Sequence, residues 1–318
     1  MEQKQIAGPV RAERWNSNRQ CFEHTETLLE ALGFADWKTL PRVISIVGAG
    51  GKTSTMYDLA EELAKKGARV LMTTSTHIAK PDQYEVAVVP KLSDLDAWMQ
   101  GRDSAAVRRN MADAGIHAGE GQNTDGSILA AGKQAEGPNS AWKLAMPEDL
   151  GEEAVMKKLL TQFDVILIEA DGSKRLPLKV PSETEPVLIP QTGLVIACAG
   201  LTAGGKQFGD TCFRFASHGG WLHRNAEDVI AAEDMALILM DERGSHKGVD
   251  GRYYRVLLNQ ADTETEQKLA EEIINSGAGK TLGQEALNQF HVRKEWNMEI
   301  ETSVGKTLVH MYQDQLET

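Results

Sequence analysis

Short apolar runs, each followed by glycine or hydroxyl residues, set the plan of the chain. The clearest is Val43-Ile44-Ser45-Ile46-Val47, a β-branched run of the kind buried on both faces of a parallel sheet. Gly48-Ala49-Gly50-Gly51 ends it. Met56, Leu59, Ala60, Leu63 and Ala64 then fall on one helical stripe, and Gly67 stops it. Val70-Leu71-Met72-Thr73-Thr74 reads as a second strand, completing a β-α-β unit. Further strands are predicted at Val165–Ile168, Leu194–Cys198 and Tyr253–Leu258. Thr263-x-x-Glu266 is a capping box that opens a helix with Leu269, Ile273 and Ile274 inward, ending at Gly277. The order predicts an α/β fold with a mostly parallel, twisted sheet flanked by helices.

The remaining segments follow other patterns. Residues 1–40 precede the first core strand as an N-terminal extension, with one amphipathic helix expected over His24–Leu32. Residues 91–150 carry Gly115, Gly119, Gly121, Gly126, Gly132 and Gly137 in a polar background, which opposes regular structure. An irregular stretch of that length inside a compact domain is usually functional or mobile. Near the end, Glu299–Val304 and Leu308–Tyr312 are strand-like, so 291–318 reads as a C-terminal β-hairpin. Residues 41–290 then form the main domain.

Charge narrows the function. Lys and Arg number 34 and Asp and Glu 46, a formal net charge of −12. With no long basic run, nucleic acid is not the expected partner, because phosphate neutralisation needs clustered cations. Cys21, Cys198 and Cys212 form no C-x-x-C pair, which excludes a disulfide scaffold or zinc knuckle and favours a reducing compartment. Residues 1–20 lack the apolar core of a signal peptide. No apolar run approaches the ~18 residues that span a bilayer. A cytoplasmic location is the expectation, with no membrane partner.

Gly-Lys-Thr occurs at Gly51-Lys52-Thr53, Gly279-Lys280-Thr281 and Gly305-Lys306-Thr307. Only the first lies between a buried strand and an amphipathic helix. The last sits between strand-like segments as a hairpin turn, and the middle one follows a helix end. In the first setting, the backbone amides of Gly48, Gly50 and Gly51, with Ser54 following, wrap phosphate oxygens where side chains would obstruct them. Lys52 would reach the β- and γ-phosphates and Thr53 would ligate Mg²⁺. Gly48-x-x-Gly51-Lys52-Thr53 is two residues shorter than the usual G-x-x-x-x-G-K-[ST] loop. The dinucleotide fingerprint G-x-G-x-x-G fails, since its third position is Thr53 and no acid ends the second strand.

Ligands of an open α/β sheet bind beyond the carboxyl ends of its strands. The second strand ends in Thr73-Thr74-Ser75-Thr76-His77, readable equally as a capping turn. The third ends in Glu169-Ala170-Asp171-Gly172-Ser173-Lys174, where either acid can hold Mg²⁺ directly or through water and Gly172 can offer its amide to a γ-phosphate. Lys174 to Lys179 is the densest basic segment, suited to transferred charge or an anionic second substrate, or to neutralising Glu183 and Glu185. Asn259-Gln260-Ala261-Asp262 is similar to the guanine-reading N-K-x-D signature, with a helix N-cap as the plainer reading. Ala203-Gly204-Gly205-Lys206 reads as a wall of the site. Cys198 and Cys212 read as small buried hydrophobes.

The segments Ile46–Thr53, Thr73–Ile78, Ile168–Ser173 with Pro177-Leu178-Lys179 and Glu185-Pro186-Val187, and Leu258–Asp262 resemble, in that order, the selenium-dependent molybdenum hydroxylase accessory proteins of the YqeC type. The resemblance spans roughly residues 30–280 and is most specific over Glu169–Pro186. It implies a P-loop NTPase-like fold and a nucleotide-binding factor for selenium cofactor biogenesis. Such a factor would use Mg²⁺ with ATP or GTP and meet a molybdenum hydroxylase or a selenium donor protein. Ser75 within the threonine run and the long glycine-rich stretch depart from the commoner pattern. Glu169-x-x-Gly172 also resembles metallocentre-maturation GTPases and molybdopterin-guanine-dinucleotide accessory NTPases, whereas the short loop resembles Mur-type ATP-dependent ligases. The expected chemistry is Mg²⁺-dependent hydrolysis or phosphoryl transfer, with Lys52, Glu169, Asp171 and Lys174 as the working side chains. A small-molecule kinase or Mur-like ligase, and a non-catalytic nucleotide-switched carrier, are the alternatives.

Overall fold

The computed structural model describes residues 11–16, 18–100, 126–137, 142–276, 290–294, 297–302 and 305–310. Its strands are β1 (Arg11–Asn16), β2 (Cys21–Thr25), β3 (Val43–Gly48), β4 (Arg69–Thr74), β5 (His77–Ala79), β6 (Glu85–Val88), β7 (Ser127–Glu136), β8 (Trp142–Ala145) and β9 (Val165–Glu169). They continue with β10 (Leu178–Lys179), β11 (Leu194–Gly200), β12 (Cys212–Phe213), β13 (Tyr253–Asn259), β14 (Phe290–Lys294), β15 (Asn297–Thr302) and β16 (Gly305–His310). The described helices are α1 (Leu28–Ala31), α2 (Lys52–Lys65), α3 (Leu95–Gln100), α4 (Glu153–Gln162), α5 (Phe208–Thr211), α6 (Phe215–His218), α7 (Ala232–Met240) and α8 (Glu264–Asn275).

Strands β14-β13-β11-β3-β9-β4-β7-β6 lie side by side, every adjacent pair parallel. Beyond β14 the sheet continues antiparallel through β1 and β2, and beyond β7 through β8 and β5. Period-two alternation divides the core. Ile44 and Ile46 of β3 and Leu194, Ile196 and Cys198 of β11 join Met56, Leu59 and Leu63 of α2. Val195, Ala197 and Ala199 of β11 join Met235 and Ile238 of α7 and Ile273 and Ile274 of α8. Ile166 and Ile168 of β9 join Met156 and Leu159 of α4. Helices therefore cover both faces, and the fold is α/β with a mostly parallel sheet, as the apolar runs predict. None of the helices among the described residues is long and apolar enough to cross a membrane.

Register aligns the strand ends that matter. Ile46 of β3 pairs with Glu169 of β9, Thr74 of β4 with that same Glu169, Gly48 with Cys198 of β11, and Gly200 with Asn259 of β13. The Thr263 amide donates to Glu266 Oε2 at 2.9 Å, the expected cap of α8.

The periphery departs from the pattern-based expectation. His24 lies in β2, and the helix shrinks to the single turn α1, because Thr27 caps it and Thr25 Oγ1 donates to the Ala12 carbonyl (2.9 Å). The apolar stripe was real nonetheless, since Leu28, Leu29 and Leu32 are buried. The glycine-rich stretch 91–150 contains α3, β7 and β8. Two of its glycines serve close approach: a Cβ on Gly126 would lie 1.9 Å from the Ala64 carbonyl oxygen, and one on Gly132 would lie 2.9 Å from that of Ala145. Gly115, Gly119 and Gly121 lie outside the described residues, as do Gly277 and the 279–281 triplet. Gly305 opens β16 opposite Thr302 of β15, so the third triplet belongs to an antiparallel pair.

Candidate phosphate site

β3 ends in a turn that only glycine can make. Gly48, Gly50 and Gly51 have φ of 91°, 66° and 104°. A Cβ on Gly48 would lie 2.3 Å from the Cys198 carbonyl oxygen, and one on Gly50 2.2 Å from the Gly200 nitrogen. The loop thus seats directly on the end of β11. Its first amides are already used: Gly48 donates to Asp171 Oδ2 (3.0 Å), Ala49 to the Cys198 carbonyl (2.9 Å) and Gly50 to the Leu176 carbonyl (3.2 Å). The N-cap of α2 is Gly51, which offers no side-chain acceptor. The amides of its first turn, from Lys52 through Ser54, therefore present an uncapped, partly positive helix end suited to an anion.

The side chains on that turn meet the end of β9. Thr53 Oγ1 donates to Glu169 Oε2 at 2.7 Å. Lys52 is buried, donating to the Gly48 carbonyl (2.8 Å) and lying 3.3 Å from Asp171 Oδ1. Burial opposes its charge, but Asp171 and Glu169 outweigh this and hold its pKa above the ordinary lysine value. Burial raises the pKa of Glu169, against the opposing pull of Lys52 and the Thr53 bond.

The basic segment from Lys174 to Lys179 is read from the sequence as meeting an anion or neutralising Glu183 and Glu185, and for Lys179 the structure gives the second, with Glu185 as its partner. In the structure Lys179 is 1% exposed. Its Nζ lies 2.9 Å from Asp171 Oδ2 and 2.6 Å from Glu185 Oε2, and donates to the Gly172 carbonyl (2.7 Å). Glu185 also pairs with Arg214, whose guanidinium lies over Phe213 at 4.9 Å. A row of alternating charge therefore runs Lys52, Asp171, Lys179, Glu185, Arg214, buried except at the half-buried Arg214. One signal was legible: Leu178-Lys179-Val180 places a lysine inside an apolar triplet. Arg214, 35 residues after Lys179, carried none.

The other expected residues divide. Thr74 Oγ1 and the Ser75 amide both bond the Glu169 carbonyl (2.9 and 3.1 Å), and Ser75 Oγ donates to the Val187 carbonyl (2.7 Å), while His77 is exposed. The threonine run is thus a strut beneath Glu169. Asn259 is buried, and its Nδ2 donates to the Gly50 carbonyl at 2.7 Å, so its amide braces the glycine loop. Gln260 accepts from Thr202 Oγ1 (2.6 Å). Asp262 is partly buried just before the cap of α8. Lys174 is exposed, its Nζ 5.4 Å from the Phe213 ring centre. Gly172 has open space where a Cβ would be. Cys198 and Cys212 are buried thiols, with Cys198 Sγ 3.8 Å from Thr55 Oγ1, and burial pushes Cys212 up to about 12. Among the described residues no His, Cys, Asp and Glu side chains cluster as a metal site of protein ligands alone. Mg²⁺ does not require one, because it keeps several waters and takes one or two carboxylates with phosphate oxygens.

A mostly parallel α/β sheet whose central strand turns through Gly-Gly-Lys-Thr into a helix, with an acid facing that threonine, defines the class of protein. The chain matches the family described as YqeC protein over residues 44–216, more than half of its 318 residues, and it belongs to that family. The match covers Lys52, Thr53, Glu169, Asp171, Lys179, Glu185 and Arg214, but neither Asn259 nor Asp262. The chain is also similar to a protein of Escherichia coli strain K12 described as uncharacterized protein YqeC, with 29% identity over 232 residues, 73% of this chain and 80% of that one.

Proposed function

We propose that this protein binds a nucleoside triphosphate with Mg²⁺ at the start of α2, on a P-loop NTPase-like framework. The observation that carries the reading is the 2.7 Å bond from Thr53 to Glu169 at an uncapped helix N-terminus, beside the buried Lys52. That hydroxyl and carboxylate would hold Mg²⁺, which when bound offsets phosphate charge. The helix amides and Lys52 would hold the phosphates themselves. Asp171 is already engaged by the Gly48 amide and two lysines, so Glu169 is the better-placed metal-side acid. Lys174, exposed beside Phe213, is available to an anionic second substrate.

The family supports an accessory role for the protein. Its sequence resemblance extends the proposal to NTP hydrolysis or phosphoryl transfer in selenium cofactor biogenesis, for maturation of a selenium-dependent molybdenum hydroxylase. A nucleotide-switched carrier is favoured by one observation: the Gly50 amide is bonded to the Leu176 carbonyl, so a phosphate that took this amide in addition to those of the helix start would displace the 172–177 segment. Titration of fluorescent ATP and GTP analogues with and without Mg²⁺, alongside phosphate release, tests the reading. Mg²⁺-dependent binding that Lys52→Ala abolishes is expected, and binding indifferent to both removes the proposal. Binding without release would select the carrier.

A further inference from the structure

We infer that Lys179, buried against Asp171 and Glu185, is a positioning residue for phosphate capture: it takes over Asp171 when Lys52 turns to the ligand. The inference rests on the phosphate-binding reading above.

The geometry presents Asp171 shared between two buried lysines. Its Oδ2 accepts from the Gly48 amide (3.0 Å) and faces Lys179 at 2.9 Å. Its Oδ1 has only the longer 3.3 Å ion contact to Lys52 and no hydrogen bond of its own. The Lys52 contact is thus the longest of the charge row, and the remaining contacts stand without it. Lys179 keeps Glu185 and the Gly172 carbonyl, and Arg214 completes Glu185.

Charge balance explains the need. A lysine that leaves a buried carboxylate for a ligand would strand an uncompensated charge, which is strongly unfavourable. With Lys179 in place, Asp171 and Glu185 remain matched by Lys179 and Arg214 after Lys52 has moved. Glu169, the other acid acting on Lys52, faces the proposed Mg²⁺ position. Without Lys179, Asp171 keeps the Gly48 amide but has Lys52 as its cation, and holds it against the phosphate.

The test uses the full chain and the Mg²⁺ complexes of fluorescent ATP and GTP analogues. Lys179→Met is expected to weaken binding at least about tenfold, since Lys52 can no longer be released at low expense. Adding Asp171→Asn should restore it to within about twofold of Asp171→Asn alone, because asparagine still accepts from Gly48 but no longer competes for Lys52. A packing role for Lys179 would show no such rescue. Asp171→Asn alone should bind at least as tightly as the wild type, a readout that survives if Lys179→Met fails to fold. Wild-type affinity in Lys179→Met, no rescue in the double variant, or weaker binding by Asp171→Asn would each overturn the inference. Loss of Lys52-dependent binding in the wild type would overturn the phosphate reading with it, which distinguishes the two failures.

Discussion

The Asn259 side-chain amide donates to the Gly50 carbonyl at 2.7 Å, tying the end of β13 to a loop 209 residues earlier in the chain. A residue placed by sequence pattern at a base-reading position is therefore part of the wall that shapes the glycine turn. Asn259→Ala should leave that carbonyl unpaired in a buried site and lower stability by about 1–3 kcal/mol. Urea denaturation measures this. If the role is structural, ATP and GTP binding should weaken by the same factor. A selective loss of GTP would instead make Asn259 a reader of guanine.

Gly50 and Gly172 bracket the site with opposite tolerance. An alanine Cβ at Gly50 would lie 2.2 Å from the Gly200 nitrogen and 2.7 Å from the Pro177 carbonyl oxygen, at a φ of 66°. Gly50→Ala should therefore destabilise by about 1–3 kcal/mol or more through strain and overlap. At Gly172 nothing lies within 4 Å of that position, so Gly172→Ala should leave the melting temperature unchanged. Thermal melts of the two variants compare them directly.

Lys52→Ala should abolish triphosphate binding while the protein still folds, because Asp171 retains Lys179 at 2.9 Å. Lys306→Ala, in the β15–β16 pair, should bind normally. Isothermal titration of each variant settles the assignment, and the reverse pattern would move the site away from the first triplet.

Glu169 has its pKa raised above the ordinary 4.5, chiefly by burial. A group whose folded pKa is raised contributes stability that is complete below the unfolded pKa and lost as pH rises through the folded one. Glu169→Gln does not titrate, so it should gain stability relative to the wild type as pH rises from the ordinary 4.5 through the raised folded value. The same variant should lose the Mg²⁺ dependence of nucleotide binding. Melting temperatures across pH 4 to 8, roughly the range that brackets carboxylate titration, check the sign.

Asp164 behaves oppositely. The Arg69 guanidinium, bonded at 2.9 and 3.0 Å, and the Arg69 backbone amide hold its carboxyl below the usual aspartate range. Its contribution is present above the unfolded value of 3.8 and is lost as pH falls through the depressed folded value. The pair is part-exposed, so Asp164→Asn should destabilise by only about 1 kcal/mol at pH 7 and converge with the wild type in acid.

Much of this protein was decided locally. The β-branched runs of β3, β4, β9 and β11 identify themselves because a strand buried on both faces has no polar alternation to hide it. The glycine turn between β3 and α2, and the Thr263–Glu266 cap, were legible because each depends on residues within a few positions of one another. So was the pairing of Thr53 with an acid at the end of β9, since the strand ends of a parallel sheet meet at one edge. Tertiary structure decided the rest. Lys179 reads as one lysine of a basic segment, for an anion or for Glu183 and Glu185, until folding encloses it between Asp171 and Glu185, and Arg214 enters only because β12 pairs beside β10. Glycines 126 and 132 read as breakers until a neighbouring backbone approaches where a side chain would have stood. Burial and long-range approach depend on which segments meet, and no local window of the chain contains both partners.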